Sequence, residues 1–91
     1  MTESHYHFRL IEDPGHAWLE VPRLLIRALG IEEEISGYSY QRKGLVYLEE
    51  DLDAGILITA LQDRGAEMTI EHLETDESSF VRTLRRYDPL D

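Results

Sequence analysis

Apolar and polar residues alternate over residues 5–11, with Tyr6, Phe8 and Leu10 on one side and His5, His7 and Arg9 on the other. Alternation rich in aromatic side chains predicts a half-buried strand. Asp13, Pro14 and Gly15 supply a turn, since proline presets one φ and glycine accepts a positive one. Residues 16–21 alternate again, Ala17, Leu19 and Val21 falling opposite Trp18 and Glu20. The two strands are expected to form a hairpin.

The period then changes from two to that of a helix. Pro22 suits a first helical position, where its missing N–H costs nothing, and Leu24, Leu25, Ile26 and Leu29 carry the helix to a terminator at Gly30. Arg23 and Arg27 share its expected exposed side. Residues 31–35 allow one further turn, with Glu32, Glu33 and Glu34 solvated. Residues 38–41 and 45–50 read as a second hairpin, turning at Arg42, Lys43 and Gly44. A second helix is predicted over 52–64, with Leu52, Ile56, Ala60 and Leu61 as its apolar stripe, joined by Leu57. Asp51 is its expected N-cap, Asp53 complements the positive helix end, and Gly65 stops it. Residues 67–73 alternate as a fifth strand. Residues 80–87 fit both a helical stripe of Phe80, Leu84 and Tyr87 and an extended edge.

These elements predict one α+β domain over residues 1–91, in the order β-β-α-β-β-α-β, with an Arg- and Tyr-containing tail from residue 80. Each helix has one apolar stripe and each hairpin alternates, so a largely antiparallel sheet with both helices on one face is expected. The other face, carrying Trp18 and the tyrosines, is then expected to be partly exposed and available for binding.

Composition narrows the function. The chain has 91 residues, too few for two cores, and no cysteine, which excludes disulfides, thiolate metal sites and a cysteine nucleophile. A cytoplasmic location is expected for so small a domain without such staples. No apolar run approaches the roughly 20 residues of a membrane span. Nineteen acids against nine basic residues give a formal charge of −10, which disfavours direct binding to a phosphate backbone.

Candidate chemistry is sparse. His5 and His7 would share a strand face as half of a zinc site, but only His16 and His72 are left to complete it. Counting from Asp51 or from Glu49, the acidic run 49–53 misses the glycine and glutamate of a calcium-binding loop. No serine sits in a nucleophile-elbow motif, and the six glycines form no phosphate-cradling loop. No metal, cofactor or catalytic residue is therefore assigned.

Charge is distributed unevenly. Residues 44–77 hold ten acids and one arginine, whereas 80–87 hold three arginines and no acid. The tail either docks on the domain's own acids or presents arginine and tyrosine, both common at interface hot spots. Glu49 and Glu50 exceed what a capped helix start requires. The candidate partner-binding residues are thus Glu49, Glu50, Asp51 and Asp53, with Tyr38, Tyr40 and Tyr47, and with Arg82, Arg85 and Arg86.

The stretches DPGHAWLEVP (13–22), YSYQRKGLVYLEEDLDAG (38–55) and FVRTLRRY (80–87) together resemble a family of small acidic proteins of bacterial plasmids and phages. The resemblance covers most of the chain and brings no catalytic residues with it. It implies an accessory protein that counteracts host defence, of an anti-CRISPR or anti-restriction kind. The expected function is a non-enzymatic protein-binding inhibitor whose acids meet the basic surface of a nuclease or CRISPR-type effector. The alternatives are a dimeric regulatory or toxin–antitoxin-like protein joined through sheet edges, and a small-molecule or metal-dependent enzyme. As a binding module the chain is expected to act as a monomer or homodimer.

Overall fold

The computed structural model describes residues 4–90, which form one six-stranded sheet and two α-helices. Strands β1 (His5–Glu12) and β2 (Ala17–Pro22) make the first hairpin, with Leu10 opposite Leu19 and Ile11 opposite Trp18. Pro22 pairs with Leu45 as the last residue of β2, with an extended ψ of 136°, so it ends the strand and does not open the helix. Helix α1 (Arg23–Leu29) closes at Gly30, whose φ of 70° lets its N–H and that of Ile31 turn back to Arg27 and Ile26. A 3-10 turn (Glu32–Glu34) follows.

The second hairpin joins β3 (Tyr40–Arg42) to β4 (Leu45–Glu49), and helix α2 (Asp53–Gln62) leads to β5 (Glu67–Glu74). A second 3-10 turn (Phe80–Thr83) precedes the two-residue strand β6 (Arg85–Arg86). The sheet order is β5-β1-β2-β4-β3-β6, antiparallel throughout except for the parallel pair β1 and β5. The α+β class and the order of the main elements match the sequence reading.

One face of the sheet carries both helices. Phe8, Leu19, Val21, Val46 and Leu48 pack there against Ile26 of α1 and Leu57 and Leu61 of α2. Two residues expected in the helical stripes are instead exposed, Leu24 at 74% and Leu52 at 53%. Arg23, expected on the solvated side of α1, is buried against the chain's end.

The opposite face is not open, which corrects the expectation of an exposed aromatic surface. Trp18, Tyr47 and Ile11 are buried there around Val81, with Tyr40, Leu45, Leu73 and Leu84 at the margin. The segment from Phe80 to Thr83 lies across this face. The chain then rounds the sheet edge as β6 beside β3 and inserts Tyr87 into the helix-side core. The Tyr87 hydroxyl donates to the main-chain oxygen of Glu32 at 2.6 Å. Residues 80–87 are thus both turn-like and extended. Among the described residues, no helix is long and apolar enough to cross a membrane.

Candidate functional site

A cleft of about 430 Å³ opens where the loop before β3, the turn after β4 and the C-terminal cover meet. Its floor is a stack of rings and guanidinium groups. Trp18 meets Tyr40 edge-on at 6.1 Å, Arg82 lies 5.2 Å above the Trp18 ring, and Arg86 lies 4.8 Å above Tyr40. Each cation is drawn to the electron-rich ring face, and the gain is largest where water is excluded. His16 tilts against Trp18 at 5.9 Å on one side. Tyr38, 70% exposed, and Leu52 stand at the rim, and Glu49 and Asp51 supply the acidic wall.

Each cleft arginine is held by a further contact. Arg86 donates to the main-chain oxygen of Gly37 at 3.1 Å. Arg82 makes a two-pronged contact with Asp13, whose carboxylate also accepts the N–H groups of Gly15, His16 and Ser79. The Arg82 hydrogen bond first, and these main-chain donors with it, hold the Asp13 carboxyl well below the usual carboxylate range against the opposing effect of burial. The same bond raises the Arg82 guanidinium.

Beneath the cleft, Asp53 fixes the loop that carries Tyr38. Its Oδ2 accepts from the Ser36 N–H at 3.0 Å, the Ser36 hydroxyl at 2.7 Å and the Ser39 hydroxyl at 2.5 Å. Ser39 Oγ in turn accepts the Glu49 N–H at 2.9 Å, so loop, β4 and helix start share one network. Asp53 Oδ1 is buried with no partner among the described residues.

Six of the ten sequence candidates line the cleft: Tyr38, Tyr40, Glu49, Asp51, Arg82 and Arg86. Glu50 is exposed just beyond it. The other three lie elsewhere. Asp53 is fully buried and serves the network, so it cannot meet a partner. Tyr47 is also fully buried; its hydroxyl donates to Glu20 at 2.9 Å, and burial followed by that bond raises its pKa. Arg85 lines a separate notch at the β3–β4 turn.

The acidic wall is also built differently from expectation. Asp51 does not cap α2, and Glu49 instead fixes the turn that leads into it: its carboxylate accepts the N–H groups of Asp51 at 3.0 Å and Leu52 at 3.1 Å, both ahead of the first helical residue. Leu52 occupies the N-cap position without a side-chain cap, because the chain enters the helix one residue later than its polar pattern suggests. Glu50 and Asp51 are the acids left exposed. Trp18, His16 and Leu52 were not among the candidates. Trp18 sits on the polar phase of β2, and that misplaced aromatic was the available signal.

The four histidines do not gather at one place, although two of them are neighbours. His5 stacks on His7 and bonds Thr69, His72 contacts Glu12, and His16 lies in the cleft. Among the described residues, no three His, Cys, Asp or Glu side chains are grouped to hold a metal ion. Compared with known proteins, the chain matches no family profile, no curated protein and no solved structure.

Proposed function

We propose that this protein is a non-enzymatic binding module that grips a protein partner at the cleft. One observation carries the reading: Tyr38 and Leu52, 70% and 53% exposed, flank a concave aromatic floor beside the solvated acids Glu50 and Asp51. Exposed apolar side chains around a cleft favour contact, since burying each removes apolar surface from water. The acids beside them favour a partner with a basic surface and speed its approach. Arg82 and Arg86 are already stacked and tethered, so the site is preorganised and little side-chain order remains to be gained on binding.

A basic partner surface of this kind is the mark of proteins that handle nucleic acid. The wider reading is a cytoplasmic inhibitor that occupies such a surface on a nuclease or defence complex, competing with the nucleic acid for it. The chain's charge of −10 supports this role.

The test begins with affinity capture from a bacterial lysate at low salt and continues with the purified partner. Calorimetry against Tyr38→Ala with Leu52→Ala, and against Glu50→Lys with Asp51→Lys, is expected to show at least about tenfold weaker binding, with unchanged melting temperature. Affinity should fall as salt rises from about 50 to about 200 mM, because exposed charges are screened within ~8–10 Å. Nucleic acid should compete with the protein for the partner. A partner bound equally by all three proteins, or none retained, overturns the proposal.

A further inference from the structure

The two edges of the sheet are built differently. One ends in β6, which is only two residues long. The other is β5, whose eight residues pair with β1 in one unbroken parallel ladder, from Glu67 opposite His5 to Glu74 opposite Glu12. β5 contains no proline or glycine, and none of its residues has a positive φ. Among the described residues, no strand pairs with its outer side. A straight edge of ~26 Å, at about 3.3 Å per residue, is a template on which an extended chain pairs. No residue of β1 or β5 lines the cleft, so this surface is separate from it.

The ladder fixes which main-chain groups face outward. The Glu67 N–H donates to the main-chain oxygen of Ser4 and the Thr75 N–H to that of Glu12, both at 2.9 Å. Direction alternates along a strand, so Met68, Ile70, His72 and Glu74 turn their N–H and C=O groups to the outer side. Side chains alternate about the same edge. Glu67, Thr69 and Glu71 are exposed on one face, while Met68 and Ile70 are half-buried on the face that carries the helices. Arg9 lies opposite Glu71 but makes its two-pronged contact with Glu20, and His5 approaches Glu67 at 3.8 Å. One side of the edge is thus acidic and the other apolar.

We propose that the outer edge of β5 accepts an extended peptide of alternating basic and apolar residues as a seventh strand. The peptide's main chain bonds the outward groups of Met68, Ile70, His72 and Glu74, which supplies affinity, and the alternation of its side chains supplies selectivity. Its lysines or arginines stand beside Glu67 and Glu71, and its apolar side chains beside Met68 and Ile70, at the ~4.5–5.5 Å spacing of cross-strand neighbours. Charge selects against a second copy of the chain. Two β5 edges would bring Glu67, Glu71 and Glu74 of each copy onto one ladder and join two chains of formal charge −10. The same acids that guard the edge against self-pairing therefore favour a basic strand.

The experiment titrates the intact, isotope-labelled protein with three octapeptides, followed by amide resonances and hydrogen exchange. One alternates lysine with valine, one has the same composition with its lysines in a single block, and one alternates glutamate with valine. The alternating basic octapeptide is expected to shift and protect the amides of Met68, Ile70, His72 and Glu74, while the indole N–H of Trp18 in the cleft stays in place. Affinity should fall about three- to tenfold in Glu67→Gln with Glu71→Gln, two exposed positions whose side chains take no part in the ladder with β1. His72→Pro removes one outward donor and should abolish the protection. The glutamine pair keeps the test decisive if His72→Pro fails to fold. No binding of the alternating basic octapeptide, equal binding of either other octapeptide, or a response centred on Trp18 overturns the assignment. So does binding that is unchanged in the variants, or dimerisation through β5 seen by light scattering without peptide.

Discussion

Asp13 and Arg82, 69 residues apart, are joined through both carboxylate oxygens, at 2.6 and 2.9 Å. The contact ties the first hairpin turn to the segment that covers the aromatic face of the sheet. Asp13 is 1% exposed at its side chain and accepts three further N–H groups, so its loss strands several donors at once. Asp13→Ala is expected to cost about 2 kcal/mol or more in chemical denaturation, with Asp13→Asn intermediate.

The sign of the pH dependence follows from the same group. Its carboxyl is held below its unfolded value, chiefly by Arg82, so the stabilisation is complete above about pH 4 and lost as pH falls through the folded-state value. The melting temperature should therefore drop as pH is lowered below about 4. In Asp13→Asn that acid-side slope should be shallower. Equal slopes in the two proteins would show that other carboxylates dominate.

The chain's single tryptophan reports on the cover directly. Trp18 is 2% exposed beneath Val81 and Arg82, so its emission should lie to the blue of solvated indole. Val81→Asp places an unpaired charge at a fully buried position and is expected to release the segment, shifting emission to the red. A fluorescence scan read beside far-ultraviolet circular dichroism separates loosening of the cover from global unfolding.

Asp53 and Asp51 should respond in the opposite order to that suggested by their exposure to sequence patterns. Asp53→Ala removes the shared acceptor of Ser36 and Ser39 and is expected to cost about 2–4 kcal/mol. Asp53→Asn keeps one oxygen for those donors and puts its amide where Oδ1 has no partner, so a cost of about 1 kcal/mol or less is expected. Glu49→Ala should lose about 1 kcal/mol through the turn before α2, while Asp51→Ala stays within about 0.5 kcal/mol.

The β3–β4 turn offers a stabilising change. Lys43 and Gly44 both adopt positive φ, 40° and 81°, the pairing that suits Asn-Gly in a two-residue hairpin. Lys43→Asn is expected to raise stability by a few tenths to about 1 kcal/mol, and Gly44→Ala to lower it by about 1 kcal/mol or more. Thermal denaturation of the two variants decides the point.

The hairpins were legible because alternation around a short turn is local information, as in Tyr6, Phe8 and Leu10 beside Leu19 and Val21. Gly30 was legible for the same reason. The pairing of β5 with β1 was not, since no local pattern says which distant strand borders which. The cover escaped because residues 80–87 satisfy two periods at once and the chain uses both, burying Val81 on one face and Tyr87 on the other. Charge patterns located four of the nine cleft residues, Glu49, Asp51, Arg82 and Arg86, yet misplaced Asp53. An acid beside a helix start is solvated in most settings, and here Ser36 and Ser39 draw it inward. Glu49 was misread because a side chain reaching forward over its own turn leaves no periodic trace.

The parallel ladder of β1 and β5 also governs how the chain is assembled. Side chains that touch across it, such as Glu12 and His72, are 60 residues apart, so the pair closes only after both hairpins and α2 exist. Contacts of such long sequence separation slow folding, because chain entropy is lost before they form. During synthesis β1 and β2 emerge early with both edges and one aromatic face unsealed. The edges are closed by β4 and β5, and the face only when Val81 and Arg82 have left the ribosome. Residues 80–87 therefore act as the seal of the fold, and a ribosome stalled before them would hold a sheet with Trp18 and Tyr47 open to aggregation.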